Sequence, residues 1–114
     1  MNFLVPGNPL PKQRPRMGKG GRFYSPSTQE EKRIAGHLQA QMGRNEPCGS
    51  DIAVTVRFYR ANRRRADLDN LLKNLLDAAN GVVWDDDWQI KQIQARMQVD
   101  KDAPRTELEV KGIE

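Results

Sequence analysis

Ile52-Ala53-Val54-Thr55-Val56-Arg57-Phe58-Tyr59, and after it Leu68-Asp69-Asn70-Leu71-Leu72-Lys73-Asn74-Leu75-Leu76-Asp77-Ala78-Ala79, are the stretches on which the architecture turns. In the first, Ile52, Val54, Val56 and Phe58 alternate with Ala53, Thr55, Arg57 and Tyr59. That period of two, with its β-branched content, predicts a strand central to a sheet. In the second, the helical period places Leu68, Leu71, Leu72, Leu75, Leu76 and Ala79 on one face and Asp69, Lys73 and Asp77 in a line on the other. Asn80-Gly81 ends that helix. A leucine face thus holds a polar row in place.

Outward from this unit, strand and helix continue to alternate. Asn2 to Pro6 reads as a short strand, and Pro9, Pro11 and Pro15 keep the following segment extended and out of a sheet interior. Gly18 to Gly21 reads as a turn between Arg14-to-Met17 and Arg22-to-Tyr24, a basic hairpin or loop. Ser25-Pro26-Ser27 begins a helix, with Ser27 and Glu30 spaced as a capping box and Ile34, Ala35, Leu38 and Met42 as its apolar stripe. Toward the C-terminus, Ile93, Ala95, Met97 and Val99 alternate with polar residues in one strand, and Thr106, Leu108 and Val110 in the next. The expected fold is α/β (α+β): a small mixed sheet with two helices on one face, in a single domain over residues 1–114.

The charge map is more informative than the net value of +4. Lys12, Arg14, Arg16, Lys19 and Arg22 precede the first acid of the chain, and Arg57, Arg60, Arg63, Arg64 and Arg65 fall in a second segment without acids. Between Ala66 and Asp87 the balance reverses to six aspartates against Lys73. Basic runs are most often solvated surface. Two of them bracketing an acidic centre point instead to phosphate neutralisation beside a site for a hard cation such as Mg2+, and so to metal-dependent chemistry on nucleic acid.

Each acid also has an ordinary explanation. Asp67 stands at a helix N-cap position, worth about 0.5–2 kcal/mol without any function. Asp69 and Lys73 are spaced as a surface helix pair, worth roughly 0.3–0.5 kcal/mol. What tips the balance is that Asp67, Asp69 and Lys73 share the first turns of one helix directly after three arginines. Asp77, two turns on, reads as an exposed partner for Lys73. In Asp85-Asp86-Asp87, alternate side chains of an extended backbone face opposite ways, so one or two of the three can meet Asp67 and Asp69. Trp84 and Trp88 read as core or rim packing that fixes this loop.

Other chemistries find little support. His37 lies mid-helix in polar surroundings and Cys48 has no histidine nearby in sequence, which disfavours a nucleophilic triad or a zinc site. Gly18, Gly20 and Gly21 lack the ending of a nucleotide-binding loop. The single Cys48 forms no intramolecular disulfide, and the start Met1-Asn2-Phe3-Leu4-Val5 has neither a charged leader nor an apolar run. A cytoplasmic protein without a membrane span is expected.

Arg63-Arg64-Arg65-x-Asp67-Leu68-Asp69-Asn70-Leu71-x-Lys73, then Trp84-x-Asp86-Asp87-x-Gln89, closely resembles the RusA family of Holliday-junction resolvases. Pro6-Gly7-x-Pro9-x-Pro11-Lys12-x-Arg14-Pro15-Arg16 resembles its phage and prophage members. The resemblance implies a homodimer that binds four-way branched DNA and makes paired nicks with Mg2+, or Mn2+ as a substitute. It puts metal-binding aspartates at Asp67, Asp69 and Asp87, with Asp86 in reserve, and the essential lysine at Lys73. The extra Asp85 departs from the pattern. Lys12, Arg14, Arg16, Arg63, Arg64 and Arg65 are expected to follow the DNA backbones, and Phe23 or Tyr24 either stacks on an unpaired base or packs. The alternatives are a non-catalytic DNA-binding or architectural protein, which has no use for the acids, and a metal-dependent nuclease of other branched DNA or of RNA.

Overall fold

The computed structural model describes residues 1–12, 16–17, 23–24 and 28–113, with 16–17 and 23–24 described as backbone only. Its elements are β1 (Asn2–Pro6), β2 (Arg16–Met17), β3 (Phe23–Tyr24), α1 (Thr28–Met42), β4 (Ile52–Arg60), α2 (Leu68–Ala79), a 3-10 turn (Asp87–Gln89), β5 (Ile90–Val99) and β6 (Arg105–Gly112). The main sheet runs β1-β6-β4-β5, with β4 parallel to β5 and the other neighbours antiparallel. β2 and β3 pair separately, Arg16 with Tyr24 and Met17 with Phe23. The expected turn over Gly18 to Gly21 and the expected cap at Ser27 lie outside the described residues.

The core forms where the two periods meet. Ile52, Val54, Val56 and Phe58 of β4 pack with Leu108 and Val110 of β6, with Phe3 and Val5 of β1, and with Ile34, Leu38 and Met42 of α1. Leu71, Leu75, Ala78 and Ala79 of α2 join them, and Trp84 is fully buried among them. The buried face of α2 is rotated slightly from the expected leucine face. Asn74 and Ala78 lie inside it, whereas Leu68, Leu72 and Leu76 sit half-buried on its flank. A parallel return from β4 to β5 requires a crossover, and α2 is that crossover. Gly81, at φ +80°, follows the last turn of α2 in the left-handed conformation that glycine adopts without strain.

β5 closes the sheet on one side. Val54 pairs with Ile93, Val56 with Ala95 and Phe58 with Met97, so Ile93, Ala95, Met97 and Val99 share the face that carries the core. Yet Ile93, Met97 and Val99 are 43%, 41% and 40% exposed. The helices cover β4 and leave this apolar row on the edge strand open.

Candidate active site

The first half of the site lies at the N-terminal end of α2. Asp67 is the N-cap, and its extended backbone (φ −84°, ψ 131°) starts the helix. Its carbonyl accepts from Asn70 N–H at 3.1 Å and Leu71 N–H at 3.2 Å, but its carboxylate makes no capping hydrogen bond. The ordinary explanation for this aspartate therefore does not operate, and among the described residues its carboxylate has no hydrogen-bond partner. Asp69 and Lys73 are likewise exposed, and among the described residues neither belongs to an ion pair.

The expected pairing of Asp77 with Lys73 is replaced by another. Asp77 pairs with Lys12, whose Nζ also donates to Glu31 Oε1 of α1 at 2.6 Å. Lys12 N–H donates to Asn70 O at 2.9 Å, and Asn74 Nδ2 donates to Leu10 O at 2.7 Å. These contacts tie the segment before β2 to both helices. Lys12, expected to contact DNA, spends its charge on two carboxylates. The same hydrogen bonds, to Asp77 first and then Glu31, raise its pKa above the ordinary 10.5. Glu30, expected in a capping box, is buried and accepts from Leu10 N–H at 3.0 Å and from Arg33. Arg14 lies outside the described residues, and the side chains of Arg16, Phe23 and Tyr24 are likewise not described.

The second half is the loop from Asp85 to Asp87, and it is more tightly built than three adjacent acids suggest. Trp84 Nε1 donates to Asp87 Oδ1 at 2.8 Å. Gln89, 1% exposed, donates from Nε2 to Cys48 O at 2.8 Å and Ser50 O at 2.7 Å, and its Oε1 accepts from Asp86 N–H at 2.7 Å. Asp85 N–H donates to Cys48 O at 3.1 Å. Every polar atom of the Gln89 amide is used, so a buried clasp holds the acidic loop against the strand leading into β4. Neither Gln89 nor Trp84 stands out from spacing alone. Trp84 is core, as expected, but Trp88 is 65% exposed, with the Lys91 ammonium 5.3 Å from the ring centre.

The two halves do not meet within one chain. Asp67 follows the end of β4, whereas Asp85 is hydrogen-bonded to Cys48, just before β4 begins, and Ile90 pairs with Ile52. From Asp67 to Asn80, cap to cap of α2, the thirteen steps along the helix amount to roughly 20 Å at 1.5 Å per residue. Among the described residues, no three His, Cys, Asp or Glu side chains group closely enough to hold a metal ion. Within one chain, therefore, the carboxylates expected to hold a cation are divided between the ends of a helix.

The arginine run bridges β4 and α2. Arg63, Arg64 and Arg65 are exposed, and among the described residues they form no ion pair. Asn62 Oδ1 accepts from Arg64 N–H at 2.9 Å and Asn8 Oδ1 from Ala61 N–H at 2.9 Å, so the loop is shaped from both sides. No helix of the described residues is long and apolar enough to cross a membrane. The model of the endodeoxyribonuclease RusA family matches residues 6–111 of the 114. No curated protein matches the chain.

Proposed function

The chain belongs to the RusA endodeoxyribonuclease family, and from that premise we propose that its catalytic centres are assembled between two copies. The family resolves Holliday junctions, and this chain is an endodeoxyribonuclease acting on branched DNA. Asp67 and Asp69 of one copy and Asp87 of the other form each centre, with Asp86 in reserve. The observation that carries this reading is the division of the acids between opposite ends of α2.

The exposed edge of β5 supports it. A strand of ten residues with an open apolar row is a template for pairing. Antiparallel pairing of β5 with its copy about a two-fold axis sets the start of one strand, beside Asp87, against the end of the other. That end adjoins the N-terminus of α2. The half-buried Leu72 and Leu76 on the flank of α2 offer further apolar surface to the same partner. Two centres related by a two-fold axis also answer the need for paired cuts in a junction that is itself nearly two-fold symmetric.

Oxygen ligands of this kind suit Mg2+, with Mn2+ as a substitute. Held by these aspartates, such an ion would offset the gathered negative charge and would supply an activated water for the phosphodiester. The chain's own residues do the rest. Trp84 orients the Asp87 carboxylate. Lys73, one turn beyond Asp69, places an ammonium beside the centre and stabilises charge on the phosphate oxygens. Arg63, Arg64 and Arg65 hold the backbone, which selects the shape of the junction rather than its sequence. Cleavage of a synthetic four-way junction against a matched linear duplex, with Mg2+ supplied or chelated, tests this reading. Equal cutting of both substrates, or cutting unaffected by chelation, would defeat it.

A further inference from the structure

Arg60, the last residue of β4, is 6% exposed and has no carboxylate partner among the described residues. Its Nη1 donates to Arg64 O at 2.7 Å, while its Nε is buried with no acceptor. A guanidinium is never deprotonated in proteins, so its charge stays where water is largely excluded. A buried charge without an opposite charge costs several kcal/mol. The hydrogen bond that Arg60 makes to the Arg64 carbonyl shapes the loop, but a neutral acceptor does not call for a full charge there.

Arg60 lines a cavity of about 140 Å³ together with Asn62, Arg63, Arg64 and Gln98 and with the apolar Met97 and Val99 at the end of β5. Three arginines and two amide residues thus contribute to one small space beside the apolar end of β5. Among the described residues, no acid lines it. The Arg60–Arg64 hydrogen bond fixes the loop so that the cavity is formed in the free protein.

We propose that this cavity is a phosphate site, with Arg60 as its buried floor, which takes a backbone phosphodiester of the branched DNA. The two non-bridging oxygens accept from the guanidinium forks, and the anion supplies the counter-charge that Arg60 lacks in the chain. The cavity lies at the end of β4, on the loop that leads to Asp67 and Asp69. Arg60 acts there as a positioning residue, holding the strand in register with the acids. The identity of the phosphate rests on the junction-resolving reading given above, whereas the anion site itself does not.

Arg60→Met keeps the buried volume and removes the charge. Binding of a four-way junction is measured in EDTA across a range of salt, together with melting in inorganic phosphate against chloride at equal ionic strength. The expected result is a slope of log K against log salt reduced by about 0.9, the signature of one phosphate no longer neutralised. The stabilisation by phosphate is expected to be abolished, whatever the loss of the Arg60–Arg64 hydrogen bond does to the melting temperature in chloride. An unchanged slope, or equal stabilisation of variant and wild type by phosphate, overturns the proposal and leaves Arg60 as a strut for the Arg64 carbonyl. If Arg60→Met does not fold, the Arg60 Nε–H resonance of isotope-labelled wild-type protein is followed during phosphate titration. Movement of that resonance supports the site, and its absence overturns it. Phosphate binding at Arg60 in a protein that fails to cut junctions would count against the nuclease reading alone.

Discussion

The Trp84 indole N–H donates to Asp87 Oδ1 at 2.8 Å from a ring that is fully buried. The core of the protein thereby sets the direction of a carboxylate on an otherwise acidic loop. One oxygen of Asp87 is held, and among the described residues the other accepts no hydrogen bond. Partners of this kind typically change metal affinity or activity by about 10–100-fold when removed.

Trp84→Phe keeps most of the ring and removes the N–H. Junction cleavage is expected to fall by about 10–100-fold, with the Mg2+ concentration for half-maximal cleavage raised and junction binding retained. Cleavage against Mg2+ concentration checks it. An unchanged Mg2+ requirement would leave Trp84 as packing.

Asp69→Asn and Asp87→Asn are each expected to abolish cleavage and to preserve junction binding, because each removes a proposed metal ligand and a negative charge together. Mixing the two inactive variants separates the possible arrangements. In a mixed dimer with shared centres, one centre keeps both aspartates and the other loses both, so nicking of one strand returns. With centres confined to single chains, every centre carries a lesion and nothing returns.

Met97→Lys places a charge in the open apolar row of β5. The monomer is expected to fold, since Met97 is 41% exposed, but the dimer should dissociate in sedimentation and cleavage should disappear with it. A dimer that survives Met97→Lys together with Ile93→Lys would place the interface elsewhere.

Lys12 and the arginine run are expected to respond differently. Converting Arg63, Arg64 and Arg65 to Ala should reduce the salt slope of junction binding by about 0.9 for each phosphate that is no longer neutralised. Lys12→Ala should leave the slope almost unchanged and lower stability by roughly 0.2–1 kcal/mol per pair, as for exposed ion pairs. The raised pKa of Lys12 sets the sign with pH. Its contribution is complete below the unfolded value of 10.5 and is lost only as pH rises through the higher folded value. The difference between Lys12→Ala and wild type in denaturant titrations should therefore be the same from about pH 6 to about pH 9.

Periodicity made the elements legible. The alternation of Ile52, Val54, Val56 and Phe58 and the helical spacing of Leu68, Leu71, Leu75 and Ala79 are local properties of a pleated strand and a helix, so β4 and α2 appear where the pattern puts them. The grouping of Asp67, Asp69 and Lys73 behind three arginines was equally local, and the family match over residues 6–111 agrees with the resemblance carried by those residues. Charge and period do not say which distant residue completes a pair. Asp77 meets Lys12 across 65 positions rather than Lys73 four residues away, because the docking of the N-terminal segment on both helices decides it. The Trp84–Asp87 bond and the Gln89 clasp depend on the loop folding back on Cys48 and Ser50. Above all, the parallel return of β5 beside β4 carries Asp87 to the far end of α2 from Asp67. Which acids are neighbours was decided by that crossover, since a helix laid across a sheet separates whatever its two ends carry.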